Sequence, residues 1–134
     1  MRITLTAESL HSPFVHDIET ISGQNLLSCY QCGCCSSGCP LVEEMDLLPN
    51  LVIRLAQLGV LEVLSSKSPW VCATCLTCQA RCPKGVDLPR VMEALRQIAS
   101  RMGPPRLNST HIPAETLAHA PQMAVVGALR KAGK

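Results

Sequence analysis

Eight of the nine cysteines fall into two runs of one pattern. The first is Cys29-Tyr-Gln-Cys32-Gly-Cys-Cys35-Ser-Ser-Gly-Cys39-Pro40 and the second is Cys72-Ala-Thr-Cys75-Leu-Thr-Cys78-Gln-Ala-Arg-Cys82-Pro83. Both read C-x2-C-x2-C-x3-C-P, the bacterial-type spacing for a [4Fe–4S] cluster. A cubane offers four iron corners, each wanting one thiolate. Three cysteines two residues apart can wrap three corners from one tight loop. The fourth follows after the chain has turned away.

In two-cluster proteins that fourth cysteine serves the other cluster. The expected ligands are therefore Cys29, Cys32, Cys35 and Cys82 for one cluster, and Cys72, Cys75, Cys78 and Cys39 for the other. Crossed ligation ties the runs together and brings the clusters close. Because tunnelling falls steeply with distance, close clusters make a wire. Pro40 and Pro83 stiffen the backbone just past their ligands. Two zinc ions are the competing reading, but zinc sites use separated C-x2-4-C pairs, not two identical four-cysteine runs. Structural disulfides belong to oxidising compartments, and nothing in the sequence marks the chain as secreted.

A chain of 134 residues favours one domain. Apolar residues reach 47% but aromatics only 2%, so the core must be aliphatic and sulfur-rich, with the clusters as staples. The formal charge of +2 counts every cysteine as neutral. Each oxidised cluster with four thiolates brings about −2, which takes the loaded protein to about −2. A nucleic-acid partner is not expected, since no basic run supports one. The N-terminus lacks a signal-peptide apolar core, and no stretch approaches the ~20 apolar residues of a membrane span. The expectation is a soluble, cytoplasmic protein with no membrane insertion of its own.

Along the chain, residues 2–7 alternate as a short strand would, either as an arm docking on another protein of a complex or as a frayed terminus. Ser12-Pro13 predicts a helix start, with Phe14, Ile18 and Ile21 on its apolar face, His16 off it, and Gly23 as its stop. Asp46 to Gly59 reads as a helix with Leu51, Leu55 and Leu58 on one face. Val60 to Leu64 is helical or extended, and Ser68-Pro69 breaks the chain again. Trp70 is expected to pack against the second cluster and exclude water. Cys34, the odd cysteine, is expected to be a buried small hydrophobe, with a surface thiol or a rescue ligand as alternatives. Asp87 predicts a helix cap, followed by an apolar stripe of Val91, Leu95, Ile98 and Met102 ending at Gly103-Pro104-Pro105. Arg81 and Lys84 are expected to offset cluster charge. The organisation expected is an arm at 1–11, a helical two-cluster domain at 12–103, and a linker with a C-terminal tail at 104–134. That tail either docks on a partner or covers the domain's own core.

Several segments together resemble the C-type subunit of heterodisulfide reductase. They are Ser22-Gly-Gln-Asn25 ahead of Cys29-Tyr-Gln-Cys-Gly, the helical insert, Trp70-Val-Cys-Ala-Thr-Cys, Arg81-Cys-Pro-Lys-Gly-Val-Asp-Leu-Pro and Met-Glu-Ala-Leu-Arg. The likeness covers about residues 14–102. It implies an all-α fold, an α-helical ferredoxin domain binding two [4Fe–4S] clusters, with N- and C-terminal extensions. It further implies an electron relay between two heterodisulfide reductase-like partners. The A-type partner carries flavin and iron–sulfur clusters. The B-type partner is cysteine-rich, holds iron–sulfur clusters and converts disulfides or thiols. Cys34-Cys35 with Cys72-x2-Cys75 imitates part of the B-type cysteine motif, but no cysteine lies upstream of Cys29 to complete it. The chain has no Gly-rich dinucleotide motif, so it is expected to carry electrons without a catalytic site of its own. Two further readings are a freestanding dicluster ferredoxin, against which the lack of strong acidity counts, and an iron–sulfur subunit of another respiratory oxidoreductase. A structural cluster protein of nucleic-acid metabolism would need a basic face.

Overall fold

Ser12 has extended backbone and its hydroxyl accepts from Val15 N, which starts helix α1, Pro13–Ser22. Pro13 occupies the first turn, where a missing N–H costs nothing. Gly23, left-handed at φ 66°, ends the helix and donates to Glu19 O. Phe14, Val15 and Ile18 are buried while His16 is exposed, as the periodicity predicts. The computed structural model describes residues 12–102 and 112–132. The alternating stretch at 2–7 and the terminator at Gly103-Pro104-Pro105 lie outside them.

The described residues contain helices and no strand. After α1 come a 3-10 turn at Leu26–Ser28, short helix α2 at Cys34–Ser37, and a 3-10 turn at Val42–Glu44. Helix α3 spans Pro49–Gln57 and a third 3-10 turn spans Leu61–Ser65. Short helices α4, Ser68–Val71, and α5, Thr77–Arg81, bracket the second cysteine loop. Helix α6 runs Leu88–Met102, then α7 spans Ala114–His119 and α8 Gln122–Ala132. The chain divides into two units, Met1–Ile98 and Ala99–Lys134.

The first unit is built on an aliphatic core. Helix α1 supplies Phe14, Val15 and Ile18; α3 supplies Val52, Ile53, Leu55 and Ala56; α6 supplies Val91, Met92, Ala94, Leu95 and Ile98. Burying each Val, Leu or Ile side chain contributes roughly 1.5–3 kcal/mol. Cys29, Cys35, Cys72, Cys78 and Cys82 pack on the edge of this core. The core is thus a floor beneath both cysteine runs. Asp87 caps α6 as expected, with Oδ1 accepting from Arg90 N at 3.2 Å. Met102, at 67% exposure, departs from the stripe expected of that helix.

Two expectations in the insert need correction. Helix α3 begins at Pro49, not Asp46, because the residue before a proline is driven out of the helical region; Leu48 is extended at ψ 144°. Its buried face is Val52, Ile53, Leu55 and Ala56, while Leu51 is 42% exposed. Pro49, Val52, Ile53 and Ala56 follow the i, i+3, i+4, i+7 spacing, which keeps Leu55 buried as expected, leaves Leu58 partly buried and turns Leu51 outward. Asp46 instead caps α4 from a distance, accepting from Lys67 N at 2.7 Å and Ser68 N at 2.9 Å. Ser68-Pro69 therefore opens a helix where a break was expected.

The second unit holds α7 and α8. Leu117, Met123 and Val126 are exposed on it. No helix among the described residues is long and apolar enough to cross a membrane.

Candidate metal centre

Each cysteine run begins on the last residue of a short helical turn, where one long polar side chain holds it. At the first run, Cys29 closes the 3-10 turn Leu26–Ser28. The buried Gln57 amide of α3 donates to Leu26 O at 2.6 Å and Cys29 O at 2.9 Å. The Glu19 carboxylate accepts from Leu26 N at 2.9 Å. At the second run, Cys72 closes α4. There the Arg96 guanidinium of α6 donates to Pro69 O at 2.7 Å and Cys72 O at 3.4 Å, while Glu93 pairs with it at 2.6 Å.

Both loops then bend in the same way. Gln31 and Gly33 have φ of 65° and 80°; Thr74 and Leu76 have φ of 56° and 62°. Each pair lies two and four residues after the first cysteine of its run. Left-handed residues turn successive N–H groups toward one side, the concave backbone that receives anionic groups. A [4Fe–4S] cluster bound by thiolates is such an anion. Because the two loops carry different residues at these positions, the shared geometry belongs to the spacing.

Helices α2 and α5, which carry the later cysteines, pack against each other. Ser36 anchors α2 to α3 through Asn50, with Oγ to Oδ1 at 2.6 Å and Asn50 N donating back at 3.0 Å. Cys39 of the first run lines a cavity together with Cys72, Cys75 and Cys78 of the second. Cys35 lines the same cavity. Cys82 of the second run lies beside Tyr30 and Cys34 of the first, close enough for its charge to act on both. Its sulfur accepts from Val86 N at 3.3 Å. Near the first loop, Gln31 Nε2 lies 3.5 Å from Cys29 Sγ.

None of the nine cysteines is joined in a disulfide. Burial pushes the Cys35 thiol up and the Cys78 thiol to about 11, and ligating a cation favours the thiolate at both. The Thr77 hydroxyl and N–H hold Cys75 below the ordinary range. The Cys34 N–H and thiol do the same for Cys32. Among the described residues, no three His, Cys, Asp or Glu gather closely enough for one metal ion. A lone zinc needs its sulfurs within about 2.3 Å of one point. Two wider sets of thiols over anion-receiving loops fit a multi-iron cluster.

Trp70 is 36% exposed, two residues before Cys72 in the helix that leads into the second run. Cys34 departs from expectation. Cys34 is half-exposed at the start of α2, and its thiol is paired with Cys32 instead of being in the core. Gln57 belongs to no sequence motif, and Arg96 closes the Met-Glu-Ala-Leu-Arg segment, which by itself assigns it no role. Gln57 leaves one signal, a polar residue within the buried arc of α3.

Residues 25–86 match the family of 4Fe–4S dicluster domains, and two [4Fe–4S] clusters are the cofactors of this chain. Over 107 residues the chain is 36% identical to the C2 subunit of the H(2)/formate:CoB-CoM heterodisulfide,ferredoxin reductase of Methanococcus maripaludis, covering 74% of this chain and 58% of that protein. It is 38% identical over 95 residues to the iron-sulfur C subunit of the CoB--CoM heterodisulfide reductase of Methanopyrus kandleri, covering 70% and 48%. It is 39% identical over 82 residues to the C subunit of the Ferredoxin:CoB-CoM heterodisulfide reductase of Methanosarcina mazei, covering 61% and 51%. The chain spans about half the length of these curated relatives. The dicluster domain and this similarity support an assignment of the chain to the family of C-type heterodisulfide reductase subunits.

Proposed function

We propose that the chain is an electron-transfer subunit of a heterodisulfide reductase-type complex. It relays electrons between an A-type partner that carries flavin and iron–sulfur clusters and a cysteine-rich B-type partner that converts a disulfide or thiol. Each cluster, when bound, takes up and returns one electron. Cys29, Cys32, Cys35 and Cys82 hold the first, and Cys72, Cys75, Cys78 and Cys39 hold the second. The observation that carries this reading is Cys39, which lines one cavity with Cys72, Cys75 and Cys78.

The remaining residues position and protect. Gln57 and Arg96 fix where each loop starts. The aliphatic core beneath the cysteines keeps water from one side of both sites. In this reading the tail, with Leu117, Met123 and Val126 exposed, offers docking area to a partner.

EPR of the reduced, anaerobically reconstituted chain tests the ligand assignment. Cys82→Ser is expected to alter the signal of the cluster held by the first run and spare the other. Loss of only the second run's signal would overturn the crossed assignment. Affinity purification from the native cell tests the relay, with flavin-carrying and cysteine-rich proteins expected to co-elute. Elution as a lone small carrier counts against it.

A further inference from the structure

At the first run, exposed side chains of one chemistry share a patch. Tyr30 is 58% exposed. Lys84 Nζ stands 5.9 Å from the centre of its ring, within cation–π range. The Arg81 guanidinium lies across Gly38, so close that a Cβ there would sit 2.6 Å from Nη1. Cys32, Cys34 and Cys82 act electrostatically on Tyr30, and Arg81 acts on Cys34, so these groups are neighbours. Cys32, Arg81 and Lys84 are all exposed.

The fold does not use these two cations to pair carboxylates. Among the described residues, the ion pairs go to Arg90 with Asp87 and Arg96 with Glu93. The second run's outer loop is different: its exposed residues Ala73, Thr74 and Leu76 carry no charge. The second run has cations of its own, Arg90 and Arg96, but these are paired with Asp87 and Glu93, whereas Arg81 and Lys84 at the first run pair no carboxylate among the described residues. An oxidised cluster with its thiolates carries about −2. Two cations standing outside it offset that charge and are what an approaching surface meets first.

We infer that the Tyr30–Arg81–Lys84 patch docks the acidic face of a one-electron carrier protein, and that electrons enter or leave the chain there, past Cys32. This rests on the relay reading. One electron passes per encounter between the carrier's redox centre and the cluster held by the first run, with no bond formed or broken. Opposite charges steer such an encounter and make its rate fall with ionic strength. Nucleic acid is the other polyanion a cationic patch could meet, but two cations offer little against a phosphate backbone.

The test uses the full chain with both clusters loaded, mixed by stopped flow with an acidic [2Fe–2S] ferredoxin as probe, in whichever direction transfer is downhill. The rate constant is expected to fall about tenfold or more between low and high salt. Lys84→Gln with Arg81→Gln is expected to lower the low-salt rate by a similar factor and flatten the salt dependence. Lys84→Gln alone leaves the Gly38 contact intact and is expected to give a smaller loss in the same direction. A rate indifferent to salt and to the cation variants, in chains that keep their iron and EPR spectra, overturns the docking surface and leaves the relay standing. Clusters that dithionite cannot reduce reversibly overturn the relay and the docking surface together. Salt-sensitive binding of a single-stranded oligonucleotide that the same variants abolish overturns the protein-docking assignment.

Discussion

The two cysteine runs share a spacing and a backbone path, yet each is held differently. The first is gripped by a neutral, buried amide, Gln57. The second is gripped by a guanidinium, Arg96, already paired with Glu93. The first loop places Gly33 at its second left-handed position; the second places Leu76, an exposed residue with a Cβ, at the equivalent one. Loop geometry therefore follows from cysteine spacing, while the means of holding it are free to differ. The grip is set by whichever core helix runs behind each loop, α3 or α6.

The largest test of this contrast is to remove each grip. Gln57→Leu takes the side-chain donor from Cys29 O and one of two donors from Leu26 O, which keeps Cys29 N. At about 1–3 kcal/mol for an unsatisfied buried group the loss should be about 2 kcal/mol. Iron should be lost first from the cluster held by the first run. Arg96→Met removes a donor whose side chain is 18% exposed and whose bond to Cys72 O is long at 3.4 Å, so about 1 kcal/mol is expected, with the effect on the second cluster's EPR signal. Denaturant unfolding and EPR of both variants check the pair. Equal losses, or a Gln57 effect confined to the second cluster, would break the comparison.

A smaller effect separates the left-handed positions. Gly33→Ala meets no neighbouring atom within 4 Å, so its cost is purely conformational, about 1 kcal/mol. Leu76→Gly should move stability the other way by about 0.5–1 kcal/mol, net of the added freedom of the unfolded chain. Thermal unfolding of the two variants should shift in opposite directions. A destabilised Leu76→Gly would mean that the leucine packs in a way its exposure does not suggest.

The smallest effect concerns Asp46, which braces the entrance to the second run only. Partial burial raises its pKa, but the Ser68 hydroxyl and the Lys67 and Ser68 N–H groups outweigh this and hold it below the usual range. Its contribution is thus complete above the unfolded value of about 3.9 and is lost as pH falls through the lower folded value. The stability difference between the natural chain and Asp46→Asn should persist at pH 6 and close below about pH 4. Urea melts at several pH values check this, and a gap that widens in acid would reverse the assignment.

Helix α1 and the cap of α6 were legible in the sequence because their determinants are local: Ser12 before Pro13, Gly23 after the last turn, Asp87 ahead of Pro89. The insert was less so. Of the leucines that drew attention only Leu55 joins the buried core, and Asp46, read as part of the helix, braces residues 21 and 22 positions away. Cys34 was misjudged because residue type gives a tendency to be buried but not the direction a short helix turns it.

The order of residues was enough to point to the chemistry: eight thiols in two equal runs, hence two [4Fe–4S] clusters, which follow from spacing that acts within a few residues. The all-α scaffold was implied by the resemblance to C-type subunits, carried by the residues around the cysteines. It took the folded chain to bring Cys39 into the second run's cavity and Cys82 beside Tyr30. Folding also puts Gln57 and Arg96 behind the loops they hold, and sets Arg81 and Lys84, which pair no carboxylate among the described residues, beside the first run. Those facts depend on how α1, α3 and α6 pack, and packing brings together residues that no local pattern relates.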